Sequence, residues 1–227
     1  MGTVLIIDDS NFMRTLIKNI VKKQGLTVVG EAENGEIGTA KYKELAPDIV
    51  TLDLVMDEKD GLATLEHIID HNPEAVVIML SSMLGQKYFA DKAKSLGAKE
   101  ILTKPIDTQK FNALLRKYTK HLHTGEPSQP GTDDLAEEEW RQLLEVFRRD
   151  AEKVITTLRE TIKSGDLKLF TTSIHAIKSA LANIDEFEVS DMAYLLEMAA
   201  KNGNTGYISD NTESFIAALE QVVKSQI

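Results

Sequence analysis

The sequence predicts an α/β doubly wound domain built on a five-stranded parallel sheet, followed by a separate all-α domain. Three observations carry this. Short β-branched or aliphatic runs alternate with longer amphipathic runs up to residue 121. After residue 136 the apolar residues recur only at helical spacing. Between them Gly125 to Asp134, GEPSQPGTDD, holds two prolines, two glycines and no large apolar residue, so it cannot contribute to a core and reads as a linker. The expected organisation is therefore one domain over residues 1–121, a linker over 122–135 and a second domain over 136–227. A chain of 227 residues is long enough for two small cores.

In chain order, Val4 to Ile7, Val28 to Gly30, Ile49 to Leu52, Val76 to Leu80 and Ile101 to Thr103 read as strands. Helical spacing separates them, as in Phe12, Leu16 and Ile20, then Leu62, Leu65, Ile68 and Ile69, and finally Phe111, Leu114, Leu115 and Tyr118. Parallel strands need crossover connections and helices supply them, so the alternation predicts helices on both faces of the sheet. Beyond the linker, helical stripes run from Trp140 to Val222 with breaks at Gly165-Asp166, Asp185-Glu186 and Asn202-Gly203-Asn204. This is the pattern of an antiparallel helical bundle with short connections.

Composition narrows the function. The formal net charge is -10, from 26 basic and 36 acidic residues, which argues against direct binding to a nucleic acid backbone. There is no cysteine, hence no disulfide framework, thiolate metal site or cysteine nucleophile. No apolar run approaches the roughly 20 residues that span a bilayer, so membrane insertion is not expected and a cytoplasmic location is the default.

Chemistry concentrates at strand ends. Asp8 and Asp9 follow the first predicted strand and Asp53 follows the third. In a parallel sheet of order 2-1-3-4-5, ligands gather outside the carboxyl ends of strands 1 and 3, so the three acids are expected to meet there. Crowded carboxylates repel one another unless a proton or cation lies among them, and an all-oxygen set suits Mg²⁺. Ser81 closes the fourth strand as a hydroxyl donor, and Lys104 closes the fifth as a point charge able to hold a phosphoryl oxygen. Any one such acid alone would be read as a helix cap or loop residue. An acidic run near Gly61 does not make a calcium loop, since aligning Gly61 with the invariant glycine puts Met56 and His67 at ligand positions.

Taken together, Ile7-Asp8-Asp9-Ser10, Asp53 to Gly61 (DLVMDEKDG), Met79-Leu80-Ser81-Ser82 and Thr103-Lys104-Pro105 resemble the receiver domain of two-component response regulators, over about residues 3 to 121. The resemblance implies a flavodoxin-like fold in which Asp53 is the phosphoacceptor. Asp9 binds Mg²⁺ directly, Asp8 mainly through water, and the backbone carbonyl of Val55 completes the protein ligands. Ser81 and Lys104 contact the phosphoryl oxygens. Two positions depart from the common pattern: Asp57 replaces a frequent proline, and Ile101 stands where a switch aromatic is frequent.

In the second domain, Phe170, Ile174, Ile177, Leu181 and Ile184 mark one helical face, and His175 lies off it among Thr171, Thr172, Lys178, Ser179 and Ala182. The expectation is an exposed imidazole on a face of small or polar residues, open to a partner, with Lys178 one turn on to offset acquired charge. The run from His175 to Ile184 resembles the H-x-x-K-G signature of histidine-containing phosphotransfer (HPt) domains, with Ser179 in place of the usual glycine and Asp185 where a glycine often follows. That resemblance implies a four-helix bundle and phosphorylation on the ring nitrogen farther from the backbone.

The combined expectation is a phosphorelay protein: Asp53 accepts a phosphoryl group with Mg²⁺, and His175 carries one to or from an aspartate. It implies an upstream histidine kinase and other receiver or HPt domains as partners, and self-phosphorylation in place of turnover on an external substrate. Three alternatives stay open: the C-terminal part of a hybrid histidine kinase, a Mg²⁺-dependent phosphatase, and a receiver joined to a docking-only bundle.

Overall fold

The computed structural model describes residues 2–56, 60–81, 87–120 and 137–225. The proposed linker over 122–135 and Asp57 lie outside the described residues. The chain separates into two compact units, Met1–Glu139 and Trp140–Ile227.

In the first unit, strands β1 (Thr3–Ile7), β2 (Thr27–Ala32), β3 (Ile49–Asp53), β4 (Val77–Ser81) and β5 (Glu100–Thr103) alternate with helices α1 (Asn11–Lys23), α2 (Gly35–Leu45), α3 (Asp60–His71), α4 (Lys87–Ser95) and α5 (Thr108–Thr119). The strands pair in parallel in the order β2-β1-β3-β4-β5. The three central strands are buried on both faces, which is why they read as continuous apolar runs and not as alternating ones. On one side of the sheet Leu5, Ile7, Leu52, Val77 and Met79 pack with Leu62, Leu65, Ile68 and Ala93. Phe12, Ile17, Ile20, Phe111 and Leu115 of α1 and α5 are also buried. Caps fix three helix starts: Ser10 Oγ accepts from Met13 N, Asn34 Oδ1 from Ile37 N, and Asp107 Oδ1 from Lys110 N.

β2 runs further than the aliphatic stretch Val28 to Gly30 suggests, because its ladder with β1 continues through polar Glu31 to Ala32. Asp53 and Ser81 are the last residues of their strands, and their backbone is therefore held by the sheet itself.

The second unit is all-helical, with α6 (Glu137–Ser164), α7 (Leu167–Asn183), α8 (Phe187–Lys201) and α9 (Thr205–Ser225). The breaks fall at the three polar turns read from the sequence. Asp166 caps α7 through Leu169 N, and Asn204 caps α9 through Tyr207 N. The segment before Gly165 is one continuous helix, since no glycine or proline between Trp140 and Ser164 interrupts it. Phe147, Leu158, Phe170, Ile174, Leu181, Phe215 and Leu219 are fully or almost fully buried and form the apolar interior.

Candidate functional site

The ends of β1, β3, β4 and β5 converge at one edge of the sheet. Asp8, Asp9 and Asp53 each offer a carboxylate oxygen within 4.8 Å of the others. Asp8 and Asp53 are buried, Asp9 partly so. Lys104, itself buried, donates from Nζ to Asp8 Oδ2 at 2.8 Å and Asp53 Oδ2 at 2.6 Å. The Lys104–Pro105 peptide is cis, at the end of β5, and Lys104 N bonds to the carbonyl of Ser81 at 2.8 Å. Ser81 is buried at the adjoining strand end. The side chains of Asp8, Asp9, Asp53 and Lys104 therefore meet at this edge, and Ser81 closes the adjoining strand. Val55, two residues past Asp53, donates its backbone N–H to Asp53 Oδ1 at 3.2 Å.

The electrostatics follow from crowding. Burial pushes the Asp8 carboxyl up to about 6; the Lys104 charge opposes that shift and the Asp53 charge adds to it. Burial works against the Lys104 ammonium as well, but Asp53 and Asp8 outweigh it and hold the amine above the ordinary lysine range. One ammonium facing three carboxylates leaves net negative charge in a pocket whose donors are all oxygen. A hard divalent cation fits that set: Mg²⁺ accepts carboxylate oxygens and keeps several waters.

Sequence reasoning did not single out Arg14, and it gave Gly61 no structural role. Arg14 on α1 donates from Nη1 to the carbonyls of Asp8 at 2.7 Å and Asp9 at 3.0 Å, tying the acidic loop to the first helix. No periodicity marks a side chain whose partners are backbone carbonyls. Gly61 sits so close to the chain leaving β3 that an added Cβ would lie 2.3 Å from the Asp53 carbonyl oxygen and 2.5 Å from that of Leu54. Glycine there lets α3 begin directly against the loop that carries Asp53.

The second candidate centre differs from its expectation. His175 is 4 % exposed, and Lys178 and Ser179 are buried beside it. The expectation of an open, partner-facing imidazole is therefore corrected: α8 covers this face of α7. Ser190 Oγ on α8 donates to the Lys178 carbonyl at 3.1 Å, and Glu197, also on α8 and buried, accepts from three cationic or ring donors. His175 Nδ1 lies 2.9 Å from Glu197 Oε1, Lys178 Nζ bonds to Oε2, and Lys201 Nζ to Oε1 at 2.5 Å. A helical wheel treats one helix alone and cannot reveal a neighbour that brings its own carboxylate to the polar side; hence Glu197 was missed.

Burial alone would raise the Glu197 carboxyl, yet the hydrogen bonds and charges of His175 and Lys178 hold it well below the usual carboxylate range. An ionised carboxylate only accepts, so Nδ1 carries the ring proton. In the neutral ring the lone pair is then on Nε2, a buried atom with no hydrogen-bond partner among the described residues.

Comparison with known proteins bears on the first unit. Residues 4–116 match the model of the response regulator receiver domain family. Over 120 residues the chain is 48% identical to the chemotaxis protein CheY of Listeria monocytogenes, covering 53% of this chain and 100% of that one. It is 42% identical over 117 residues to the chemotaxis protein CheY of Thermotoga maritima, covering 52% and 97%. A solved response regulator receiver domain protein from Clostridium thermocellum matches with a TM-score of 0.50 and 26% identity, covering 54% of this chain and 97% of that one. Through its N-terminal unit, the chain belongs to the response regulator receiver family of two-component signalling.

Proposed function

We propose that this chain is a phosphorelay protein in which Asp53 of a receiver over residues 1–121 accepts a phosphoryl group and His175 of an HPt bundle over residues 136–227 carries one. Receiver domains generally bind Mg²⁺ at an acidic pocket, and the observation that carries the first half is the convergence of Asp8, Asp9 and Asp53 with Lys104 at one strand edge. Asp9, Asp8, Asp53 and the Val55 carbonyl would hold the ion, which supplies neutralisation of phosphoryl oxygen charge. A carboxylate oxygen of Asp53 attacks phosphorus, and the bond from phosphorus to the donor's leaving group breaks with its electron pair going to that group. Lys104 and Ser81 receive the phosphoryl oxygens as the Asp53–Lys104 contact is exchanged for a phosphoryl–Lys104 contact.

For the second half, support comes from His175 Nδ1 on Glu197, which fixes the tautomer that leaves Nε2 nucleophilic. Attack by Nε2 on a phosphoaspartate returns the electron pair to the aspartate carboxylate and leaves a phosphoimidazole that keeps its proton on Nδ1. The buried ring must turn outward, or α8 must draw back, for a partner to reach it. A histidine kinase upstream and further receiver or HPt domains are the partners this chemistry requires.

The burial of His175 favours one other reading, a bundle that docks signalling partners while its histidine is structural. Label mapping separates the two. Incubated with Mg²⁺, an acyl phosphate and a phosphorylated receiver, the chain is expected to carry alkali-labile label that Asp53→Asn abolishes and alkali-stable, acid-labile label that His175→Gln abolishes. Alkali-stable, acid-labile label persisting in His175→Gln, or never forming, would leave the bundle as a docking module.

A further inference from the structure

Among the described residues, His175 Nε2 is one of two buried polar atoms on the same face of α7 that lack a hydrogen-bond partner. The other is Ser179 Oγ, one helical turn on. Residues four apart on a helix are neighbours at about 5–6 Å between Cβ atoms, and helical side chains lean toward the N-terminus, so Ser179 leans toward His175. Both residues are more than nine-tenths buried. Buried polar atoms are nearly always satisfied, and two orphans side by side point to a group that joins them.

The surroundings identify that group's chemistry. On the Nδ1 side the ring is engaged with Glu197, which also takes Lys178 and Lys201. The two atoms of this α7 face without partners among the described residues are a ring nitrogen with a lone pair and a hydroxyl one helical turn on. A phosphoryl group on Nε2 would use the lone pair as its covalent bond and present its oxygens to the hydroxyl as acceptors. A bare anion suits the site less well, since a lone pair repels it. Serine at this position is this chain's own feature, standing where the resembled signature has glycine.

We infer that Ser179 is a phosphoryl-binding residue, its Oγ–H donating to an oxygen of the phosphoryl group carried on His175 Nε2. The inference rests on the phosphotransfer reading of His175 and adds a residue to it. In the transfer, the Nε2 lone pair forms the N–P bond, the Asp–O–P bond breaks with its electrons returning to the aspartate, and Ser179 keeps its proton throughout. The hydroxyl stabilises the phosphorylated product without joining the reaction as acid or base.

The test uses the full chain carrying Asp53→Asn, so that label at Asp53 cannot interfere, with phosphoramidate as a chemical donor to imidazole. Phosphorus NMR follows the phosphohistidine resonance against pH, and its decay gives the lifetime. With serine present, the phosphoryl group is expected to titrate at lower pH than in Ser179→Ala or Ser179→Gly, because a donor favours the dianion. The phosphohistidine is expected to hydrolyse about tenfold faster in both variants, the scale of one hydrogen bond to a charged group. Phosphohistidine at His175 with identical titration and lifetime in all three chains overturns the role of Ser179 alone, and leaves a bridging water as what joins the orphans. No phosphohistidine at His175 in the serine chain overturns the phosphotransfer reading and Ser179 with it.

Discussion

At the residue scale, the receiver pocket is a balance between one buried ammonium and a surplus of carboxylates. Burial disfavours the ionised form of Asp8, and the sign of its effect on stability follows directly. Its folded affinity for a proton, near pH 6, exceeds the ordinary value of 3.8, so between those values the folded chain binds a proton that the unfolded chain has released. Stability from this group therefore falls as pH rises from about 4 to about 6 and stays reduced above that, by up to about 3 kcal/mol. Asp8→Asn is expected to stabilise the metal-free receiver at pH 7 and to flatten its denaturation midpoint between pH 4 and 6. Urea titrations across that range, in chelator, measure it. Asp8, Asp9, Asp53, Ser81 and Lys104 were legible because strand ends in a parallel sheet project to a common edge. Arg14 was not, because its partners are the Asp8 and Asp9 carbonyls. Nor was the role of Gly61, whose reason is the backbone of Asp53 and Leu54 lying against it.

Elements show the same division between what a pattern can and cannot carry. The alternation of aliphatic and amphipathic runs located all five strands, and polar turns located all three breaks in the bundle. What failed was the accessibility of His175, because the polar side of α7 is covered by α8, with Glu197 as a common acceptor for His175, Lys178 and Lys201. The folded Glu197 carboxyl is depressed, so its contribution is present above the ordinary value of 4.5 and is lost as pH falls below it. Glu197→Gln is expected to cost the bundle about 3 kcal/mol at pH 7, the lower range for breaking a buried charge cluster, with the difference shrinking in acid. Denaturation of both proteins at pH 7 and pH 3 checks this. The turn after α7 offers a milder test. Asp185 adopts φ 63°, a left-handed conformation that side chains disfavour, at the position where the resembled signature often has glycine. Asp185→Gly is expected to stabilise the bundle by about 0.5 kcal/mol, read as a raised thermal midpoint.

On the scale of the whole molecule, the chain joins two compact units, and Asp8, Asp9, Asp53 and Lys104 all lie in the first. A chain shortened to residues 1–125 is accordingly expected to keep Mg²⁺-dependent self-phosphorylation at an unchanged rate, measured with an acyl phosphate donor. A large loss would mean that the bundle completes the site. Family membership accounts for the first unit, and the phosphotransfer role proposed for His175 rests on the Glu197 contact and on a ring nitrogen that has no hydrogen-bond partner among the described residues.

The claim on which the rest depends is that these converging acids make Asp53 a metal-dependent phosphoacceptor. Intact-mass spectrometry after incubation with an acyl phosphate tests it most directly, comparing the unaltered chain with Asp53→Asn, each with Mg²⁺ and with chelator. One phosphoryl addition in the unaltered chain with Mg²⁺, and none in the other three samples, is the predicted result. Equal addition to the Asp53→Asn chain, or addition indifferent to chelator, would contradict it.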